Sequence, residues 1–287
     1  MLVVLLLAAG AGCSGKSGNP AAPGPTPDPQ APITYTAVGA SDAAGVGSSA
    51  PCVPFTACPG GLGYVPIIAR ELGMGGAPVT LMNLGIPAAV LSRRIQDLGR
   101  AYGRSIPGNF IDDEAPFVPR NTTLLTVFAG GNDTNAIAAA VGGGAGGSDA
   151  NGYIDAQIRA FGDDYAALLH AVRQRAPSAK IVVANLPNFA GMPFTAGLSP
   201  EQKLIMQRIS VGFSTEAINP LVTQGISVVD LLCDPRFLQA SVFSSDGFHP
   251  NDTGYRYLAD EMLRALTQPT YPPPLGSCGQ MTLAGPR

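Results

Sequence analysis

Tryptophan is absent from this chain of 287 residues, histidine occurs only twice, and charged side chains make up 13% of the composition. The formal net charge is −3, and lysine and arginine form no basic run. Such a chain has no electrostatic footprint for nucleic acid or an anionic surface, so the expected partner is a small, mostly uncharged molecule. The cysteines do not cluster at metal-ligand spacings, which argues against zinc, and no motif calls for an organic cofactor. No internal repeat is present, and the apolar run at residues 2–7 is too short to cross a bilayer as a helix.

That short run does have a use. Residues 2–7 form an apolar core, residues 8–12 are small, and Cys13 precedes a proline-rich stretch. This resembles a bacterial lipoprotein signal. Residues 1–12 are expected to direct export, Cys13 to carry lipid and anchor the chain to a membrane, and residues 13–31 to act as a semi-rigid tether. The expected location is the periplasm, the cell surface or the medium. Gly10-Ala-Gly-Cys-Ser-Gly15-Lys16-Ser17 also matches a phosphate-loop pattern, but the prolines that follow cannot open the helix such a loop requires.

The other four cysteines, Cys52, Cys58, Cys233 and Cys278, fit an oxidising compartment and two disulfides. Three connectivities are permitted. Local pairing of Cys52 with Cys58 is the simplest, leaving Cys233 to hold the tail at Cys278.

From residue 32 onward the chain reads as one domain, 32–287. Short apolar segments at 34–38, 79–83, 123–128, 180–184 and 226–230 are strand candidates, and they alternate with longer amphipathic stretches. Helices are expected at 154–172, 200–217 and 253–266. The expected fold is α/β: a doubly wound, flavodoxin-like three-layer sandwich around a five-stranded parallel sheet. Residues 136–151, rich in alanine and glycine, read as a mobile flap or a surface insertion. The segment from Asn185 to Pro200 carries Phe189, Met192, Pro193 and Phe194, which can line a substrate pocket or pack the loop down.

In a parallel sheet, ligands bind at the carboxyl ends of the strands, and the chemically equipped turns fall there. Gly39-Ala40-Ser41-Asp42 follows the first strand and presents a hydroxyl. Gly85 lies just past the second. Gly130-Gly131-Asn132-Asp133 follows the third. Near the C-terminus stands Asp246-Gly247-Phe248-His249, in which an aspartate three residues before a histidine can orient the imidazole or simply cap a turn. The second histidine, His170, belongs to a stretch with helical spacing and reads as a helix-surface residue.

These four blocks, in this order, resemble those of the SGNH (GDSL-type) hydrolases, over roughly residues 33–268. The family's first block usually reads Gly-Asp-Ser, whereas here Ala40 precedes the serine and the aspartate follows as Asp42. The resemblance implies Ser41 as nucleophile, His249 as base and Asp246 as its orienter. It also implies an oxyanion hole from the Ser41 and Gly85 backbone N–H groups and the Asn132 side chain, and a serine esterase or lipase acting on carboxylic esters, including acylated sugars or lipids. Two other functions use the same cleft: a non-catalytic lipoprotein that binds a glycan or lipid, and an acyltransferase with the same residues.

Overall fold

A computed structural model describes residues 31–285. The expected export signal, Cys13 and the tether up to residue 30 lie outside the described residues. Five strands form a single sheet: β1 (Ile33–Gly39), β2 (Val79–Asn83), β3 (Leu124–Phe128), β4 (Lys180–Ala184) and β5 (Ser227–Val229). Their order is β2-β1-β3-β4-β5 and every pairing is parallel, so the fold is the expected doubly wound α/β sandwich. The order reverses at β1, which has β2 on one side and β3 on the other, and the crevice for ligands opens at such a reversal.

Because side chains alternate along a strand, each strand supplies both outer layers. Tyr35, Ala37, Val182, Ala184 and Val229 face α1 (Tyr64–Gly73) and α7 (Asp252–Thr267). Val38, Leu125, Val127, Val183 and Val228 face the opposite layer, built mainly from α2 (Arg93–Ala101), the one-turn α3 (Phe110–Asp113), α4 (Gly131–Gly142), α5 (Ala150–Arg175) and α6 (Pro200–Gly212). Cys52 is bonded to Cys58 and Cys233 to Cys278, and the latter bond ties the C-terminal segment to the loop after β5.

Several boundaries differ from the sequence expectation. The helix expected at 200–217 ends at Gly212 and continues as a wide π-helical turn, Phe213–Ile218. There the Ser214 hydroxyl lies 2.9 Å from the Ser210 carbonyl and 3.0 Å from that of Leu186, and Phe213 stacks on Phe161 at 3.7 Å. Widening the turn lets both residues face inward.

The flap reading of residues 136–151 is corrected. Residues up to Gly142 belong to α4, and only the glycine-rich turn before α5 is irregular. Since α4 starts beside Asn132 and is 12 residues long, it carries that turn about 18 Å from the sheet edge. The turn instead lines a groove with α5 and α6, which contribute Ile154, Asp155, Ile205 and Arg208.

Candidate active site

Ser41 sits in the turn that closes β1. The Ala43 and Ala44 N–H groups donate back to the Ala40 carbonyl and Val46 N–H donates to that of Ser41, a tight curl that lifts the serine off the strand end. Its side chain is almost fully buried, at 5% exposure. Gly85 packs directly against this curl. A Cβ at position 85 would lie 2.5 Å from Ala43 Cβ and 2.9 Å from the Ala40 oxygen, so only glycine permits the approach.

The loop carrying Asp246 and His249 reaches the same edge from the far end of the sequence. Gly247 adopts φ +67°, a left-handed conformation that reverses the chain between the aspartate and the histidine. Asp246 Oδ1 accepts hydrogen bonds from Phe248 N–H, His249 N–H and the Ser244 hydroxyl, while Oδ2 lies 2.6 Å from His249 Nδ1. One oxygen of the carboxyl thus faces the turn and the other faces the imidazole. His249 Nε2 lies 2.9 Å from Ser41 Oγ. Burial opposes ionisation of Asp246, but the bonds from the His249 ring, the two backbone N–H groups and Ser244 outweigh it and hold the carboxyl at about 2.

The donor groups around Ser41 are arranged unequally. Ser41 N–H donates to no group among the described residues. Gly85 N–H donates to the buried Asn83 side chain at 3.1 Å, and Asn83 in turn donates to the Ala43 carbonyl at 2.7 Å. Asn132, in the first turn of α4, gives one amide hydrogen to Ala89 O at 3.0 Å, which fixes the amide plane and leaves the second hydrogen available.

Three phenylalanines pack together beside His249. The rings of Phe189, Phe194 and Phe248 meet edge to face at 5.1 to 5.8 Å, and Phe248 stands 5.0 Å from the imidazole of His249. The segment between β4 and α6 is pinned to the histidine loop by Phe194 N–H donating to the Gly247 carbonyl. Phe189 and Met192 border a cavity of about 40 Å³ together with Gly131, Asn132, Phe248 and Asp42. Burial raises the Asp42 carboxyl, an effect moderated by the nearby His249. Histidine 170 stays apart, on the exposed face of α5 within hydrogen-bond distance of Gln174.

Ser41, Gly85, Asn132, Asp246 and His249 are therefore gathered at one edge of the sheet. Sequence reasoning missed the residues beneath them. Asn83, which engages Gly85 N–H, reads in sequence as the polar end of a strand. Glu114, which accepts Gly39 N–H at 2.9 Å and is fully buried, lies in Asp112-Asp113-Glu114, a run that resembles a solvated acidic surface. Only Asn83 had a usable signal, its place one residue past an apolar run and two before a glycine.

A hydroxyl in reach of an imidazole whose other nitrogen meets a carboxylate is an arrangement that can activate serine for acyl transfer. Comparison with known proteins agrees with this chemistry. Residues 37–257 match the profile described as the GDSL-like Lipase/Acylhydrolase family. No curated protein sequence matches the chain. Among solved structures, the extracellular lipase of Streptomyces rimosus is similar over 81% of this chain and 99% of its own, at 18% identity and a TM-score of 0.55. A lipase from a goat rumen metagenome is similar over 81% and 97%, at 16% identity and a TM-score of 0.54. Phospholipase A1 of Streptomyces albidoflavus is similar over 82% and 99%, at 14% identity and a TM-score of 0.51. At these identities the likeness to the solved structures is one of fold.

Proposed function

The chain belongs to the GDSL-like lipase/acylhydrolase family and is a serine ester hydrolase, and from that premise we propose that Ser41 attacks the ester carbonyl with His249 as its base and Asp246 as the orienter. The observation that carries this reading is the continuous contact from Asp246 through His249 to Ser41, at 2.6 and 2.9 Å. Asp246 accepts a hydrogen bond from Nδ1–H, so Nε2 presents its lone pair to the serine hydroxyl. As Oγ bonds to the carbonyl carbon, its proton passes to Nε2. The resulting imidazolium is stabilised by the carboxylate and returns the proton to the leaving alcohol. Water, deprotonated by the same nitrogen, then releases the acid from Ser41.

Negative charge on the carbonyl oxygen is met by Ser41 N–H, Gly85 N–H and the free amide hydrogen of Asn132. Gly85 N–H donates to Asn83, and an oxyanion competes for it because a charged acceptor forms a stronger bond than a neutral amide oxygen. The phenylalanine cluster beside His249 supports an uncharged, apolar portion of the ester at that side of the cleft. Two disulfides support export to an oxidising compartment, and the residues around Cys13 support its lipidation.

The reading is tested by assaying the purified protein on p-nitrophenyl esters of graded chain length and identifying the free acid. Turnover abolished by Ser41→Ala is expected, and turnover surviving that change in full rejects it. Incorporation of labelled fatty acid that Cys13→Ser removes tests the anchor.

A further inference from the structure

The turn that carries Ser41 has no polar side chain of its own ahead of the serine, because Gly39 and Ala40 precede it. Its support comes from a different part of the chain. Glu114, immediately after α3, is fully buried and places Oε2 2.9 Å from Gly39 N–H. Gly39 marks the last residue of β1, and its carbonyl accepts Ile86 N–H at 3.2 Å. One side chain therefore holds the N–H of Gly39, two residues before Ser41, and the carbonyl of that same glycine binds the residue that follows Gly85.

We propose that Glu114 is a positioning residue of this site: by holding Gly39 N–H beside the Ile86 backbone, it fixes the spacing between the Ser41 curl and Gly85. This rests on the role of Ser41 given above. Glu114 does not touch the reacting atoms and acts only through the backbone.

Burial disfavours the charged form of this acceptor. Burial raises its pKa well above the usual carboxylate range and outweighs the opposing N–H donors. Its other oxygen, Oε1, has no hydrogen-bond partner among the described residues. A charge there would be buried with one oxygen unsolvated, which is far less tolerable than a buried neutral acid. A distinct consequence follows: glutamine, neutral and of the same shape, can replace Glu114, whereas methionine, of similar length with no acceptor, cannot.

The experiment compares the full chain with Glu114→Gln, Glu114→Met and Glu114→Asp, reading kcat and KM on p-nitrophenyl acetate, with thermal unfolding as a check on folding. Glu114→Gln is expected to keep kcat within about threefold, while Glu114→Met lowers kcat by about 10- to 100-fold at unchanged KM, the scale of effect that sub-ångström displacement of reacting groups produces. A folded Met variant with the parent kcat overturns the proposal, as does a Gln variant as impaired as Met. If Met prevents folding, Glu114→Asp decides, since its carboxyl is drawn back by one methylene: reduced kcat at constant KM supports the role, and the parent kcat rejects it. Failure of the Ser41 reading is separately visible, because the parent protein would then show no turnover sensitive to Ser41→Ala, and both inferences would fall.

Discussion

His249 Nε2 lies 2.9 Å from Ser41 Oγ although 208 positions separate the two residues in the chain. In the proposed mechanism neither group acts without the other, so their effects are expected not to be additive. Ser41→Ala and His249→Ala are each expected to reduce kcat by about 10⁴-fold or more, and the double variant to be little worse than either single one. Steady-state rates on one ester for the three variants check this, and multiplicative losses would show that the two residues act separately.

Asn132 is held by Ala89 with one hydrogen left for the cleft. Asn132→Ala is expected to lower kcat by about 10²- to 10³-fold, with a much smaller change in KM, because the bond strengthens as charge develops on the oxygen. A loss confined to KM would mean that Asn132 binds the ground state only.

The pH profile separates His249 from Asp246. Asp246 is held at about 2, below the ordinary aspartate value of 3.8, so it stays ionised across the working range and its contribution is lost only as pH falls toward 2. Asp246 is therefore expected to add no proton of its own to the acid limb of kcat, whose logarithmic slope stays no steeper than about one. A slope near two contradicts an Asp246 that is ionised across that range.

Stability is expected to change with pH for a different reason. Asp133, next to Asn132, is fully buried, with Oδ1 on Leu91 N–H and Oδ2 without a partner among the described residues. Burial pushes its carboxyl from 3.8 up to about 7. A raised acid binds its proton more tightly when folded, so its stabilising effect is complete below the unfolded value and disappears as pH rises through about 7. That displacement corresponds to about 4 kcal/mol across the window. The melting temperature is expected to decline between pH 4 and 8, and Asp133→Asn to flatten the decline. An unchanged slope in Asp133→Asn assigns it to other groups.

What could be read from sequence divides by the range of the interaction. The strand at 180–184 was fully legible because its apolar residues are buried on both faces, leaving an uninterrupted run, and β4 has those bounds. The four motif blocks were legible because each lies at a strand end or in a tight turn, where glycine, asparagine and aspartate have local reasons to occur. The wide turn at Phe213–Ile218 was not, since it depends on Ser214 meeting Leu186 across 28 positions. The alanine- and glycine-rich stretch misled because glycine weakens a helix signal, yet Ala136, Ile137 and Ala140 are fully buried and tertiary packing keeps α4 intact. Glu114 was invisible for the same reason, as nothing in an acidic tripeptide announces that one member turns inward.

The most direct measurement is to treat the purified protein with a fluorophosphonate and map the labelled peptide by mass spectrometry, with His249→Ala alongside. The reagent reacts with an activated serine and needs no knowledge of the natural ester. Label on Ser41 that is lost in His249→Ala is the expected result. A folded protein that takes no label, or label on Ser41 indifferent to His249, contradicts the account.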